Sequence, residues 1–72
     1  MMHLPLVSVV IPTYNSSETI LSCINSVFSQ TYNNIEIIVV DDGSTDTTIK
    51  LLSDLIIGHE EKIKLVTQVN AG

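Results

Sequence analysis

The sequence predicts an α/β fold, a Rossmann-like βαβαβ half-sheet of three parallel strands in the order 3-2-1. Three short β-branched apolar runs carry that reading, together with two intervening stretches that place apolar residues at helical spacing. Polar turn clusters close the first two runs. Strands joined by crossover helices are normally parallel, which fixes the sheet type.

The first strand is expected over 7–11, where Val7, Val9, Val10 and Ile11 run up to Pro12. A helix over 16–29 follows, because Ile20, Leu21, Ile24, Val27 and Phe28 share one stripe of a 3.6-residue period. Asn15 and Glu18 stand three apart, as a helix N-cap and its reciprocal partner do. The second strand is expected over 35–40, ended by the turn-forming Asp41, Asp42, Gly43 and Ser44. A second helix should span 46–57, with Asp46 near its positive dipole end and Ile49, Leu52, Leu55 and Ile56 inward. Gly58 is its stop signal. The third strand is expected over 63–67.

Right-handed crossovers made in one direction put both helices on the same face of the sheet. The second strand nevertheless presents Ile35, Ile37 and Val39 to one side and Ile38 and Val40 to the other. Parallel sheets are generally covered on both faces. The bare face is expected to need cover from further chain, a partner or self-association. Residues 1–72 thus read as the N-terminal part of an incomplete domain.

Composition narrows the function. The 72 residues are 44% hydrophobic with a mean hydropathy of +0.38, more apolar material than so short a chain readily hides. No apolar run reaches the roughly 20 residues of a membrane span, and the first six residues lack the basic region of a signal peptide. The net charge is −5, with Lys50, Lys62 and Lys64 as the cations and no arginine. Nucleic-acid phosphates select clustered lysine and arginine, so that class of partner is excluded. Cys23 stands alone, which fits a cytoplasmic location, and its place beside the apolar stripe reads as a small buried hydrophobe. His3 and His59 have no partner at metal-ligand spacing and read as solvated loop residues, and Tyr32 as a packing aromatic.

The chemistry is expected at two strand ends. Ligands of open α/β sheets bind outside the carboxyl ends of the strands, where Pro12, Thr13, Tyr14 and Asn15 would meet Asp41, Asp42, Gly43 and Ser44. An aromatic ring and a proline can pack on a flat base, and a carboxylate can accept from a base N–H or a ribose hydroxyl. The first loop has neither a Gly-x-Gly-x-x-Gly fingerprint nor a P-loop, and no cation. The base and ribose therefore belong here and the phosphates elsewhere. Structural roles compete at each position: Asn15 and Glu18 suit a helix cap, and Asp41 suits a turn cap.

The runs Val-Ser-Val-Val-Ile-Pro-Thr-Tyr-Asn ending at Asn15, Ser-Gln-Thr-Tyr ending at Tyr32, and Glu-Ile-Ile-Val-Val-Asp-Asp-Gly-Ser-Thr-Asp ending at Asp46 resemble the opening of family 2 glycosyltransferases with the GT-A fold. Asn70, Ala71 and Gly72 resemble the start of the next segment of such enzymes. The resemblance implies that Pro12, Thr13 and Tyr14 line the nucleotide base and that Asp42 hydrogen-bonds it, commonly as uracil. It further implies Asp41 beside Asp42, and Asn15 and Glu18 at the rim. The implied substrate is a nucleotide-sugar donor, a UDP-sugar, with a saccharide or lipid-linked acceptor in polysaccharide or cell-wall synthesis. The implied cofactor is a divalent metal, Mg or Mn, held by an Asp-x-Asp motif that has no counterpart here; nor has the catalytic base. The chain alone is therefore expected to be inactive, and the resemblance leaves membrane association open for the full-length parent. Two other classes fit less well. A dinucleotide oxidoreductase would need the glycine fingerprint, and a phosphoacceptor receiver places its paired aspartates after the first strand.

Overall fold

The computed structural model describes residues 5–29 and 34–69. Its elements are β1 (Val7–Thr13), α1 (Ile20–Phe28), β2 (Ile35–Asp42), α2 (Thr48–Ile56) and β3 (Ile63–Gln68). The strands form one sheet in the order β1-β2-β3, and both pairings are parallel. This is the predicted half-sheet, with β2 at its centre.

The strands run further than their apolar patterns. Pro12 lies inside β1, opposite Val40, because β1 is an edge strand and an edge tolerates a residue with no N–H. Asp41 and Asp42 likewise extend β2, paired with Thr67 and Gln68 of β3. The ladder thus carries both aspartates to the end of the sheet before the turn begins.

The helices start later than their sequence signals. Asn15 adopts φ 47°, a left-handed conformation that an N-cap does not use, and its side chain is engaged elsewhere. The chain makes a turn first, with Thr19 and Ile20 donating to the Ser16 carbonyl, and α1 begins at Ile20. The Asn15–Glu18 capping box does not form; the N-cap residue is Thr19, without a side-chain cap bond. In α2 the helix proper opens at Thr48 rather than Asp46. Gly58, at φ 87°, follows that helix as expected, since only glycine takes such a φ freely.

Core packing lies on one side of the sheet. Ile35, Ile37 and Val39 of β2 meet Ile20 and Ile24 of α1, Leu52 of α2 and Ile63 of β3. Val9, Ile11, Val27, Leu51, Leu55, Ile56 and Leu65 pack around them. Ile49 is only half-buried, and its neighbour Thr48 takes the fully buried place. Cys23 is exposed, contrary to the expected buried hydrophobe. Three residues at ~100° each turn it about 60° from Ile20, to a flank that a nine-residue helix leaves uncovered. Leu21 and Phe28 mark the other flank of the stripe and are likewise exposed.

The opposite face carries no helix among the described residues. Val10 is 59% and Val66 48% exposed there, beside half-buried Ile38 and Val40. Toward the amino ends of the strands the face turns polar. Ser8 Oγ donates to Glu36, and Lys64 Nζ lies 3.2 Å from the other Glu36 oxygen. The Ser8 hydrogen bond first, and then Lys64, hold the Glu36 carboxyl below its usual range.

Candidate functional site

At the carboxyl ends of the strands the two polar loops meet and are tied together. Asn15 is the knot. Its Oδ1 accepts from the backbone N–H of Thr45 at 2.8 Å and of Asp46 at 3.3 Å, while its own N–H donates to Ser44 Oγ at 2.8 Å. Asp46 ties the loops from the other side, accepting from Ser17 N–H through one oxygen and from Thr48 N–H through the other. Buried Thr48 completes the set: its hydroxyl donates to Asp46 and accepts from Ser16 N–H at 2.9 Å. The first loop after β1 is thereby fixed to the start of α2. A free loop would lose that geometry to chain entropy.

Beside this knot lies a cleft of about 330 Å³ lined by Pro12, Thr13, Tyr14, Val40, Asp42 and Gln68. Alternation along the strands divides the two aspartates. Asp42 lies on the helix-free side with Pro12 and Gln68, half-buried, and its Oδ1 accepts from Gln68 Nε2 at 3.3 Å. Asp41 lies on the helix side and is buried, 1% exposed, with both oxygens accepting from Ser44: one from its N–H at 2.8 Å, the other from its hydroxyl. Gly43 follows at φ 76°, a left-handed conformation that glycine adopts freely.

Of the residues expected at the nucleotide, Pro12, Thr13, Tyr14 and Asp42 are thus brought together. Tyr14 is half exposed, its ring presented to solvent. Thr13 is buried, and its Oγ1 has no hydrogen-bond partner among the described residues. Asn15 and Asp41 hold the loops instead of lining the cleft, and Glu18 is exposed on the turn before α1. Val40 and Gln68 are the lining residues that pattern reading missed; for Gln68 only the β2–β3 register, which sets it opposite Asp42, could have pointed to it. Tyr32 and His3 lie outside the described residues. His59 is exposed as expected, with Nδ1 3.0 Å from the Leu55 carbonyl at the other end of α2.

The lining contains one carboxylate and no cation. Such a surface suits an uncharged, flat group with hydrogen-bond donors better than it suits a phosphate. Among the described residues no three carboxylate, imidazole or thiol groups gather as a metal site.

The knot should respond to acid. Hydrogen bonds from Thr48 first, and then from Ser17, lower the Asp46 carboxyl from 3.8 to about 2. A depressed carboxyl contributes stability above its unfolded value and loses it as pH falls through the folded one. Asp46 therefore stabilises the loops fully above pH 3.8 and stops doing so toward about pH 2. Thermal melts across this window should show the wild-type chain losing its advantage over Asp46→Asn as pH drops. Parallel acid profiles for the two proteins would contradict the assignment.

Over residues 8–72 the chain matches the family described as Glycosyl transferase family 2. This chain belongs to glycosyl transferase family 2. Among curated family relatives, it is 39% identical over 70 residues to the chondroitin synthase of Escherichia coli, covering 97% of this chain and 10% of that protein. It is 40% identical over 67 residues to the glycosyltransferase GlyG of Streptococcus pneumoniae, covering 93% of this chain and 22% of that one. With the hyaluronan synthase of Pasteurella multocida it shares 35% identity over 70 residues, 97% of this chain and 7% of that protein. The chain thus spans less than a quarter of each of these family members. Among the described residues no helix is long and apolar enough to cross a membrane.

Proposed function

We propose that this chain holds the nucleoside of a nucleotide-sugar donor, a UDP-sugar, for glycosyl transfer to a saccharide or lipid-linked acceptor. The observation that carries the reading is the cleft at the carboxyl ends of β1, β2 and β3, which Pro12, Tyr14 and Asp42 line together. Binding at such a strand end is the rule for open α/β sheets. Pro12 and Tyr14 would take the face of the base, and Asp42 would accept from its ring N–H. The phosphates would lie outward, because no cation lines the cleft. A divalent metal would belong to the diphosphate, which needs charge neutralisation as it leaves. Family membership supports the transferase reading, and relatives named for chondroitin and hyaluronan synthesis favour a saccharide polymer as the product.

Calorimetric titration of the chain with UDP, and with NAD as the competing dinucleotide, tests this reading. A saturable UDP isotherm with no NAD binding is the expected result. Preference for NAD would instead support a dinucleotide-binding half-domain.

A further inference from the structure

β1 closes one side of the sheet and β3 the other. Along a strand the backbone groups point alternately to its two sides. In β1, Val7 N–H donates to the Asn34 carbonyl, so the odd-numbered residues serve β2 and Ser8, Val10 and Pro12 face outward. Pro12 has no N–H to offer there, and a proline on an edge discourages a further strand. In β3, the Lys62 carbonyl accepts from Ile37 N–H, so the even-numbered residues serve β2. Ile63, Leu65 and Thr67 face outward, and Ile63 N–H is already given to the His59 carbonyl. Leu65 and Thr67 are left with open backbone groups, on an edge without proline or glycine.

We propose that this edge is a self-association surface, on which β3 of a second copy adds antiparallel about a two-fold axis through Val66. Self-pairing suits the edge because one register uses what is open and nothing already spent. Centred on Val66, it sets Leu65 of each copy opposite Thr67 of the other and makes four N–H···O bonds. Centring on Leu65 would set Ile63 against Thr67 and compete with the His59 carbonyl. The Val66 side chains, 48% exposed in the single chain, come side by side on the helix-free face. They form a non-hydrogen-bonded pair, with Cα atoms about 4.5 Å apart. Lys64 of each copy falls opposite Gln68 of the other, so no like charges are set against each other. The three-stranded sheet continues into a six-stranded one.

Sedimentation of the chain over a range of concentrations tests this, with a monomer–dimer equilibrium as the expected result. Thr67→Pro removes two of the four bonds, one from each copy, and spares the β2–β3 ladder, which does not use Thr67 N–H. It should keep the circular dichroism spectrum and raise the dimer dissociation constant by about tenfold or more. Oxidative cross-linking in a Cys23→Ser background reads the register. Val66→Cys is expected to form a covalent dimer readily, since its Cα separation lies within disulfide reach. Lys64→Cys, also exposed on that face, lies two residues from the axis in each copy and should not. The cross-linking pattern decides by itself if the proline variant loses its fold. A chain that stays monomeric at every concentration would overturn the proposal. So would a dimer that a folded Thr67→Pro leaves unchanged, or one that cross-links no better through Val66→Cys than through Lys64→Cys.

Discussion

Asp42→Ala is expected to weaken UDP binding by about 1.5–3 kcal/mol, the range for a hydrogen bond to a charged group. That is roughly a ten- to hundredfold rise in Kd. The size follows from position: Asp42 is half-buried at the cleft, and it is the single charged group in the lining. Removing it also frees the Gln68 amide, but Gln68 is exposed and water can satisfy it, so the fold should survive. Asp54→Ala is the matched control. Its carboxylate pairs with Lys50 at 3.6 Å on the solvent side of α2, and both side chains are mostly exposed. Calorimetry should therefore show a large loss for Asp42→Ala and none for Asp54→Ala. Equal losses would mean that net charge, and not the cleft, governs binding.

Ile37→Ala is expected to unfold most of the chain at room temperature. Ile37 is 0% exposed at the centre of β2 and packs within the core on the helix side. Truncating such a residue costs about 2–5 kcal/mol through lost transfer energy and the cavity left behind. A core in a chain of this size rarely supplies more than about 3–5 kcal/mol in total. The neighbouring Ile38 points to the helix-free face and is only half-buried, so Ile38→Ala should cost far less. Thermal melts followed by circular dichroism separate the two. Similar melting temperatures for both variants would contradict the one-sided core.

The half-sheet was legible because its signals are local and mutually consistent. Ile35, Ile37 and Val39 alternate with Ile38 and Val40, and Ile20 and Ile24 fall one helical turn apart. Parallel pairing then follows from the crossover helices, without any long-range information. Element boundaries were less legible where side chains answer distant groups. Asn15 reads as a helix cap three residues before Glu18, yet its amide serves Thr45 and Asp46, thirty residues on. Asp46 reads as a residue near the positive end of the second helix, and its carboxylate does accept from Thr48 N–H there, but it also ties down Ser17. Cys23 misled because the breadth of a buried stripe depends on what covers it, and a spacing rule cannot supply that. In the site, Pro12, Tyr14 and Asp42 were visible as a polar cluster at two strand ends. Gln68 was not, since it lies just past the expected end of the third strand and gains meaning only from its register opposite Asp42.

The central claim is that the cleft at the carboxyl ends of the strands receives the nucleoside. Titrating UDP into isotope-labelled chain and following backbone amide resonances tests it most directly. The account predicts saturable shifts at Thr13, Tyr14, Asp42, Gly43 and Gln68, with Gly58 and His59 at the far end of α2 unmoved. Shifts centred on Gly58 and His59, with the cleft amides unmoved, would contradict it.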